Sequence, residues 1–242
     1  MRHILRGTLT LAAVLCFASA SFASNIGNWI GSSRSWNSGD MSIVRASVIA
    51  AGNTVEADEA LTAGNLSNDN VLVIGEPTST PTAGELAALQ SWVSGGGILL
   101  LFADSGNSGL PALNNIASGI GSSLSWSGSV SSIPTLAGGN FASTGPPFNI
   151  VGQALGTSPG TTVLGGTLLA TDYIRYQALG SGWVFGFSDR SDHNTFNPDN
   201  TTVNGQLFLN IVGGHATSAV PEPTTLVLTA LGLGGIIRRR LR

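Results

Sequence analysis

The side chains most capable of chemistry in this sequence come directly after apolar runs that predict β-strands. They are Glu76, Asp104, Ser105, Ser188 and Asp189. Ligands of parallel α/β sheets bind at the carboxyl ends of the strands. If the strands are neighbours, these five residues converge into one candidate ligand pocket, whose functional groups are carboxylates and hydroxyls.

Hydrolysis is the most specific reaction that these residue types suggest. Ser105 would be the nucleophile, His193 the base, and a carboxylate would orient the base; an acid pair is the other catalytic arrangement. The sequence around Ser105 lacks the G-x-S-x-G elbow of serine hydrolases. Asp104, Ser105 and Asp189 are equally suited to capping helices and forming turns. We therefore predict no catalytic residues and keep an envelope hydrolase as the alternative.

A metal or cofactor site receives little support from the sequence. His193 is the only histidine of the body before His215, which excludes a zinc or iron site built from several histidines. The segment 189–200 is rich in oxygen ligands, but its spacing matches no EF-hand loop. An Asx-rich surface turn explains the same composition. We predict no metal and no cofactor, and a calcium-dependent carbohydrate binder stays open as a further alternative.

Three tryptophans, Trp29, Trp36 and Trp126, lie in or near segments rich in serine and glycine. If they are exposed, their rings can stack on sugars. If they are buried, they anchor the core or the loops, which is the commoner role of tryptophan. Their burial distinguishes the two interpretations.

The charge distribution excludes one class of partner. All ten basic residues are arginine, and residues 24–219 hold four of them against twelve acidic residues, a formal charge of −8. So acidic a body repels phosphate backbones, and we expect no nucleic-acid binding. Cys16 is the only cysteine and lies near the N-terminus. The body therefore contains neither a disulfide nor a thiol nucleophile.

Two strands and the helix between them must position the candidate pocket. Residues 71–74 and 98–102 are wholly apolar, which is typical of strands buried on both faces of a parallel sheet. Thr82 and Glu85 match a capping box that starts a helix over 83–94. We expect the two strands to be adjacent at the centre of the sheet, joined by this helix in a right-handed crossover.

Strands and helices alternate along the rest of the body, residues 24–215. Further strands are predicted over 25–30, 53–57, 162–169, 174–179 and 183–187. Further helices are predicted from Asp40 to about residue 51 and over 60–66, 110–120 and 206–212. Residues 31–39 should form a loop, and 121–160 an irregular insertion made of antiparallel strands or a long loop. The pattern predicts a three-layer α/β domain with a mostly parallel, flavodoxin-like sheet.

The N-terminal residues 1–23 predict a secretory signal peptide. Arg2 and Arg6 supply positive charge, residues 8–17 are apolar, and the small residues at 18–20 and 21–23 suit cleavage. The apolar stretch is too short to span a bilayer comfortably. An uncleaved anchor helix is the alternative.

The C-terminal residues combine a motif, an apolar segment and a basic end. A linker, residues 216–223, ends in the motif Val220, Pro221, Glu222 and Pro223. Residues 224–237 are apolar and predict a C-terminal membrane helix, which would reach about 21 Å into a roughly 30 Å hydrocarbon core. The membrane stop is formed by Arg238, Arg239, Arg240 and Arg242.

In its three parts and their order, this tail resembles the PEP-CTERM sorting signal of Gram-negative bacteria. The resemblance covers roughly the last 23 residues. It implies export, a transient anchor in the inner membrane, processing by an exosortase, and release to the cell surface or the extracellular space. It also implies a link to biofilm, with exopolysaccharide as a partner of the body.

The body resembles a class I glutamine amidotransferase-like domain over 71–77, 85–105 and 183–189, followed by 204–212. The resemblance implies a flavodoxin-type fold. That family uses a cysteine on a sharp turn after a strand, whereas the corresponding turn here, 102–106, has none. We therefore expect an exported surface or matrix protein whose body is a non-enzymatic binding or interaction module.

Overall fold

The structure of the chain is a computed structural model. It describes residues 23–103, 109–130, 141–143, 150–152, 160–170, 174–188, 208–209 and 211–213. The predicted signal peptide up to residue 22, the sorting motif and the predicted C-terminal helix lie outside these residues, as do Asp104, Ser105, Asp189 and His193. Within the described part of the chain, no helix is long and apolar enough to cross a membrane.

Twelve strands are described. They are β1 (Asn25–Trp29), β2 (Ser32–Arg34), β3 (Thr54–Glu59), β4 (Val71–Pro77), β5 (Ile98–Phe102), β6 (Ser125–Val130), β7 (Phe141–Ser143), β8 (Ile150–Gly152), β9 (Gly160–Leu164), β10 (Thr167–Ala170), β11 (Ile174–Leu179) and β12 (Gly182–Phe187). The helices are α1 (Ser42–Ala50), α2 (Ala63–Leu66), α3 (Ala83–Ser94) and α4 (Leu110–Gly119). The described residues near 210 are also helical.

The central sheet is mostly parallel, as predicted. Its strand order is β10-β11-β12-β5-β4-β1-β3, and β2 pairs with β4 beside this path. Counted along the chain, the five parallel strands β1, β3, β4, β5 and β12 stand in the order 2-1-3-4-5. That is one of the two common orders of doubly wound sheets. Three antiparallel strands, β2, β10 and β11, distinguish this sheet from a purely parallel one.

The best predicted unit, β4–α3–β5, forms as expected. The two strands pair in parallel, and every residue of β5 is buried. Thr82 Oγ1 accepts from the backbone N–H of Glu85, and the Glu85 carboxylate accepts from the backbone N–H of Thr82, which completes the capping box. The apolar runs therefore correctly predicted the two buried strands, and the capping box correctly predicted the start of α3.

Helices cover both faces of the sheet. On one face, α1 and the helical residues near 210 pack against Leu100 and Phe102 of β5 in one apolar core. On the other face, α2, α3 and α4 enclose Leu99 and Leu101 in a second core. Alternate side chains of one strand thus serve two cores, which explains why the strand shows no polar alternation.

Three local predictions were wrong. The helix predicted from Asp40 starts later: residue 40 lies within a 3-10 turn, Gly39–Met41, and α1 starts after Met41 without a side-chain cap. The predicted loop 31–39 contains β2. The predicted strand 162–169 is two strands, β9 and β10. Gly165 and Gly166, which lie between these strands, both have positive φ and form the turn that separates them.

The region 121–160 contains antiparallel strands in its described parts. β6 pairs with β9, and β7 with β8, each as a two-stranded sheet outside the central one. The antiparallel alternative for this region is therefore the one the structure contains. The predicted hairpin is also confirmed, since β11 and β12 pair along their whole length.

Candidate functional site

The register of three neighbouring strands places two of the predicted pocket residues at the same level. Gly75, Phe102 and Phe187 are aligned across β4, β5 and β12. The residues that follow them, Glu76, Ala103 and Ser188, therefore lie together where these strands end, an edge we term the carboxyl edge. With about 4.8 Å between strands, the backbones of Glu76 and Ser188 are roughly 10 Å apart.

Glu76 has an unusual backbone. Its φ is 45°, in the left-handed region that costs a non-glycine residue about 1–2 kcal/mol. The neighbouring strand β2 holds it there. Ser33 Oγ lies 2.9 Å from the Glu76 carbonyl oxygen and 3.3 Å from Oε2, and Arg34 Nε lies 3.9 Å from Oε1. Non-glycine residues kept in this region cluster at binding and active sites, so Glu76 is the strongest functional candidate among the residues described at this edge.

The chain itself fills the place where doubly wound folds usually bind ligands. That place is the crevice between the strands at which the strand order reverses, here β1 and β4. β2 lies antiparallel along the end of β4, with Arg34 opposite Gly75 and Ser32 opposite Pro77. The contact is so close that a Cβ on Gly75 would collide with the carbonyl oxygen of Arg34. The crevice between β1 and β4 is therefore filled by β2.

A buried amide fixes the segment that follows β2. Asn28 is 1% exposed, and its Oδ1 accepts from the backbone N–H of Trp36 at 2.9 Å. Its Nδ2 donates to the carbonyl oxygen of Glu56 at 3.0 Å. Asn37 Nδ2 reaches the same oxygen at 2.8 Å and also Oδ1 of Asp58 at 2.8 Å. The segment is thus anchored across β1 to β3.

Ser188 does not face solvent. It is 1% exposed, and the residue before it belongs to an aromatic cluster in which the rings of Phe102 and Phe187 stack at 4.1 Å. Trp126 Nε1 donates to the carbonyl oxygen of Phe187 at 2.8 Å. Of the five predicted pocket residues, the structure brings Glu76 and Ser188 to one edge, with Ser188 inside the core. Asp104, Ser105 and Asp189 lie outside the described residues.

The three tryptophans considered for sugar stacking are core residues. Trp29, Trp36 and Trp126 are 2%, 0% and 2% exposed. The interpretation that these rings stack on sugars is therefore wrong. The alternative, that the tryptophans anchor the core, is confirmed. Trp36 belongs to the core on the α1 face of the sheet, and Trp29 and Trp126 belong to the core on the other face.

A polar cavity of about 250 Å³ opens beside β1 and β3, away from the predicted pocket. Its polar lining consists of Glu56, Glu59, Asp69, Asn25, Asn65 and Asn68. Burial, together with the nearby carboxylates of Glu59 and Glu56, raises the pKa of Asp69 to about 7. Sequence reasoning missed this cavity, because it joins strands and a loop far apart in the chain. Among the described residues, no three side chains form a metal-ligating group.

No family model and no curated protein matches the chain. Among solved structures, it is similar to the mmIFT52 N-terminal domain, with a TM-score of 0.58 and 13% identity over 81% of this chain and 99% of that one. Two glycosidases follow. The exo-β-1,4-mannosidase Op5Man5 from Opitutaceae bacterium strain TAV5 has a TM-score of 0.45, 15% identity and 78% and 35% coverage of the two chains. The β-galactosidase from Bacillus circulans sp. alkalophilus has a TM-score of 0.46, 10% identity and 80% and 30% coverage.

The first of these similarities concerns the fold alone, because the identity is low. The chain spans about a third of each glycosidase, and those two similarities are too weak to say anything about activity.

Proposed function

We propose that the chain is an exported, exosortase-processed cell-surface or matrix protein whose α/β body is a non-enzymatic binding module for exopolysaccharide. The body would be anchored transiently in the inner membrane by residues 224–242 and then released. The flavodoxin-type family resemblance belongs to the same proposal, and the 2-1-3-4-5 order of the parallel strands supports it.

The filled crevice between β1 and β4 carries the non-enzymatic part of the proposal. Enzymes of doubly wound fold keep this crevice open for a cofactor or substrate. Here β2 occupies it through backbone pairing with β4, and Asn28 anchors the segment that follows. Opening the crevice would break these hydrogen bonds and expose the fully buried Trp36. A shallow binding surface fits this architecture better than a deep active site.

The carboxyl edge is the proposed binding surface. Arg34 has 38% of its side chain exposed and lies beside Glu76, while Ser33 and Thr78 are exposed nearby. A guanidinium, a carboxylate and hydroxyls offer both donors and acceptors, the combination that pairs with sugar hydroxyls and uronate groups. Glu76 has only 11% of its side chain exposed, so its carboxylate, 3.9 Å from Arg34 Nε, supports the more exposed guanidinium at this surface.

A retention assay on the producer's own polysaccharide tests the binding role. The full chain in detergent should be retained, and Arg34→Gln should weaken retention about tenfold if a charge-assisted hydrogen bond is lost. Arg45→Gln is the matched control, because Arg45 lies on α1 and is also partly exposed. Equal retention of both variants would remove the carboxyl edge from the proposal. Absence of retention of the parent chain would remove polysaccharide as the partner.

A further inference from the structure

The chain enters and leaves the described body at the same place. Ser24 precedes β1, and its carbonyl oxygen accepts from the backbone N–H of Thr54 at the start of β3. Its Oγ donates to the carbonyl oxygen of Val212 at 3.0 Å, a buried hydrogen bond between residues 188 positions apart. Val212 is itself fully buried in the core near α1. The points where the chain enters and leaves the described body are therefore both fixed next to the starts of β1 and β3.

The starts of the parallel strands define the opposite edge from Glu76. We term it the amino edge. The backbone N–H of Asn70, just before β4, donates to the carbonyl oxygen of Asn25. The backbone N–H of Trp183 donates to the carbonyl oxygen of Gly97, just before β5. These loops lie level with Ser24. Five residues of β5 separate the two edges by about 17 Å.

We propose that the amino edge faces the membrane while the chain is anchored, so that the carboxyl edge with Arg34 and Glu76 is displayed away from it. The inference rests on the proposed function, because it requires the anchored tail. It adds an orientation that the sequence pattern does not contain. Until it is cleaved, the predicted N-terminal signal segment would attach at the same edge.

The length of the tether supports this orientation. Ten residues, 214–223, separate Gly213 from the apolar segment, and ten residues reach at most about 35 Å when fully extended. To turn the carboxyl edge towards the membrane, the tether would have to run the height of the sheet, about 17 Å, and pass the loops at both edges. The few extended conformations that achieve this cost chain entropy. The direct path from the amino edge leaves the tether its freedom.

Fluorescence quenching from the membrane surface tests the orientation. The full chain with Cys16→Ser contains no cysteine, so a single introduced cysteine can be labelled cleanly. Ser181→Cys puts the probe in the exposed turn before β12, at the amino edge. Ser79→Cys puts it in the exposed segment after β4, at the carboxyl edge. Both variants should melt like the parent, because both replace exposed serines whose side chains make no hydrogen bond within the described residues.

Each labelled chain is reconstituted in phosphatidylcholine–phosphatidylglycerol vesicles that carry a nitroxide quencher on the lipid headgroup. We expect the chain to float with the vesicles and the probe at position 181 to be quenched at least twofold more than the probe at 79. Equal or reversed quenching in the floated fraction overturns the orientation while leaving the anchor intact. If the chain does not float, the anchoring part of the proposed function fails, and the orientation falls with it.

Discussion

Replacing Asn28 by alanine tests how firmly the chain closes the crevice between β1 and β4. The substitution leaves the buried backbone N–H of Trp36 without its acceptor, which costs about 1–3 kcal/mol. The Glu56 carbonyl oxygen loses one donor but keeps Asn37, so this second loss is smaller, about 0.5–1 kcal/mol. The sum, about 1.5–4 kcal/mol, corresponds to a fall in Tm of roughly 3–16 °C for a domain of this size.

Thermal unfolding followed by circular dichroism measures this effect. Asn37→Ala is the matched control, because Asn37 donates to the same carbonyl oxygen from a partly exposed position. It should cost less than about 1 kcal/mol, since Asn28 still satisfies Glu56. The reasoning is refuted if Asn28→Ala melts within a degree of the parent, or if the two variants lose equal stability. Either result would mean that the segment after β2 is held by something other than this amide.

Two further substitutions probe burial and charge. Val73→Asp should abolish the cooperative melt, because Val73 is fully buried and an unpaired carboxylate there costs several kcal/mol. The control, Thr80→Asp on the exposed segment after β4, should melt like the parent. A normal melt for Val73→Asp would disprove the burial of Val73. Asp69 has a pKa of about 7 in the fold against its ordinary value of 3.8, so the folded state holds this proton more tightly and stability should fall as pH rises from about 4 to 7. Asp69→Asn should remove that fall and, after a discount for partial exposure, be more stable than the parent at pH 8 by about 1–2 kcal/mol. Tm of both proteins measured at pH 5 and pH 8 checks this, and an equal difference at the two pH values would contradict the raised pKa of Asp69.

The sequence predicted those elements whose signal is local. The run 71–74, the capping box at Thr82 and the run 98–102 each specify their structure without help from the rest of the chain. β2 was missed because Ser-Ser-Arg carries no apolar alternation and has low strand propensity. It is a strand only because the end of β4 offers unpaired backbone groups to it.

The sequence likewise predicted only part of the candidate site. Topology alone predicts that Glu76 and Ser188 meet at the carboxyl edge, because strand ends of a parallel sheet lie together. The environment of each depends on distant residues: Ser188 is buried next to the stacked rings of Phe102 and Phe187, and Ser33 of β2 bonds to Glu76. The raised pKa of Asp69 likewise depends on its burial and on the carboxylates of Glu59 and Glu56 in β3. No local pattern encodes contacts of this kind.

Mass spectrometry of the mature protein from its native host tests the proposed function most directly. The proposed function places the processing site at the motif Pro221, Glu222 and Pro223. The account predicts a C-terminus between Pro221 and Pro223 and no peptide from residues 226–237. Recovery of an intact C-terminus at Arg242 on the surface protein would contradict it, because the tail would then be a permanent anchor.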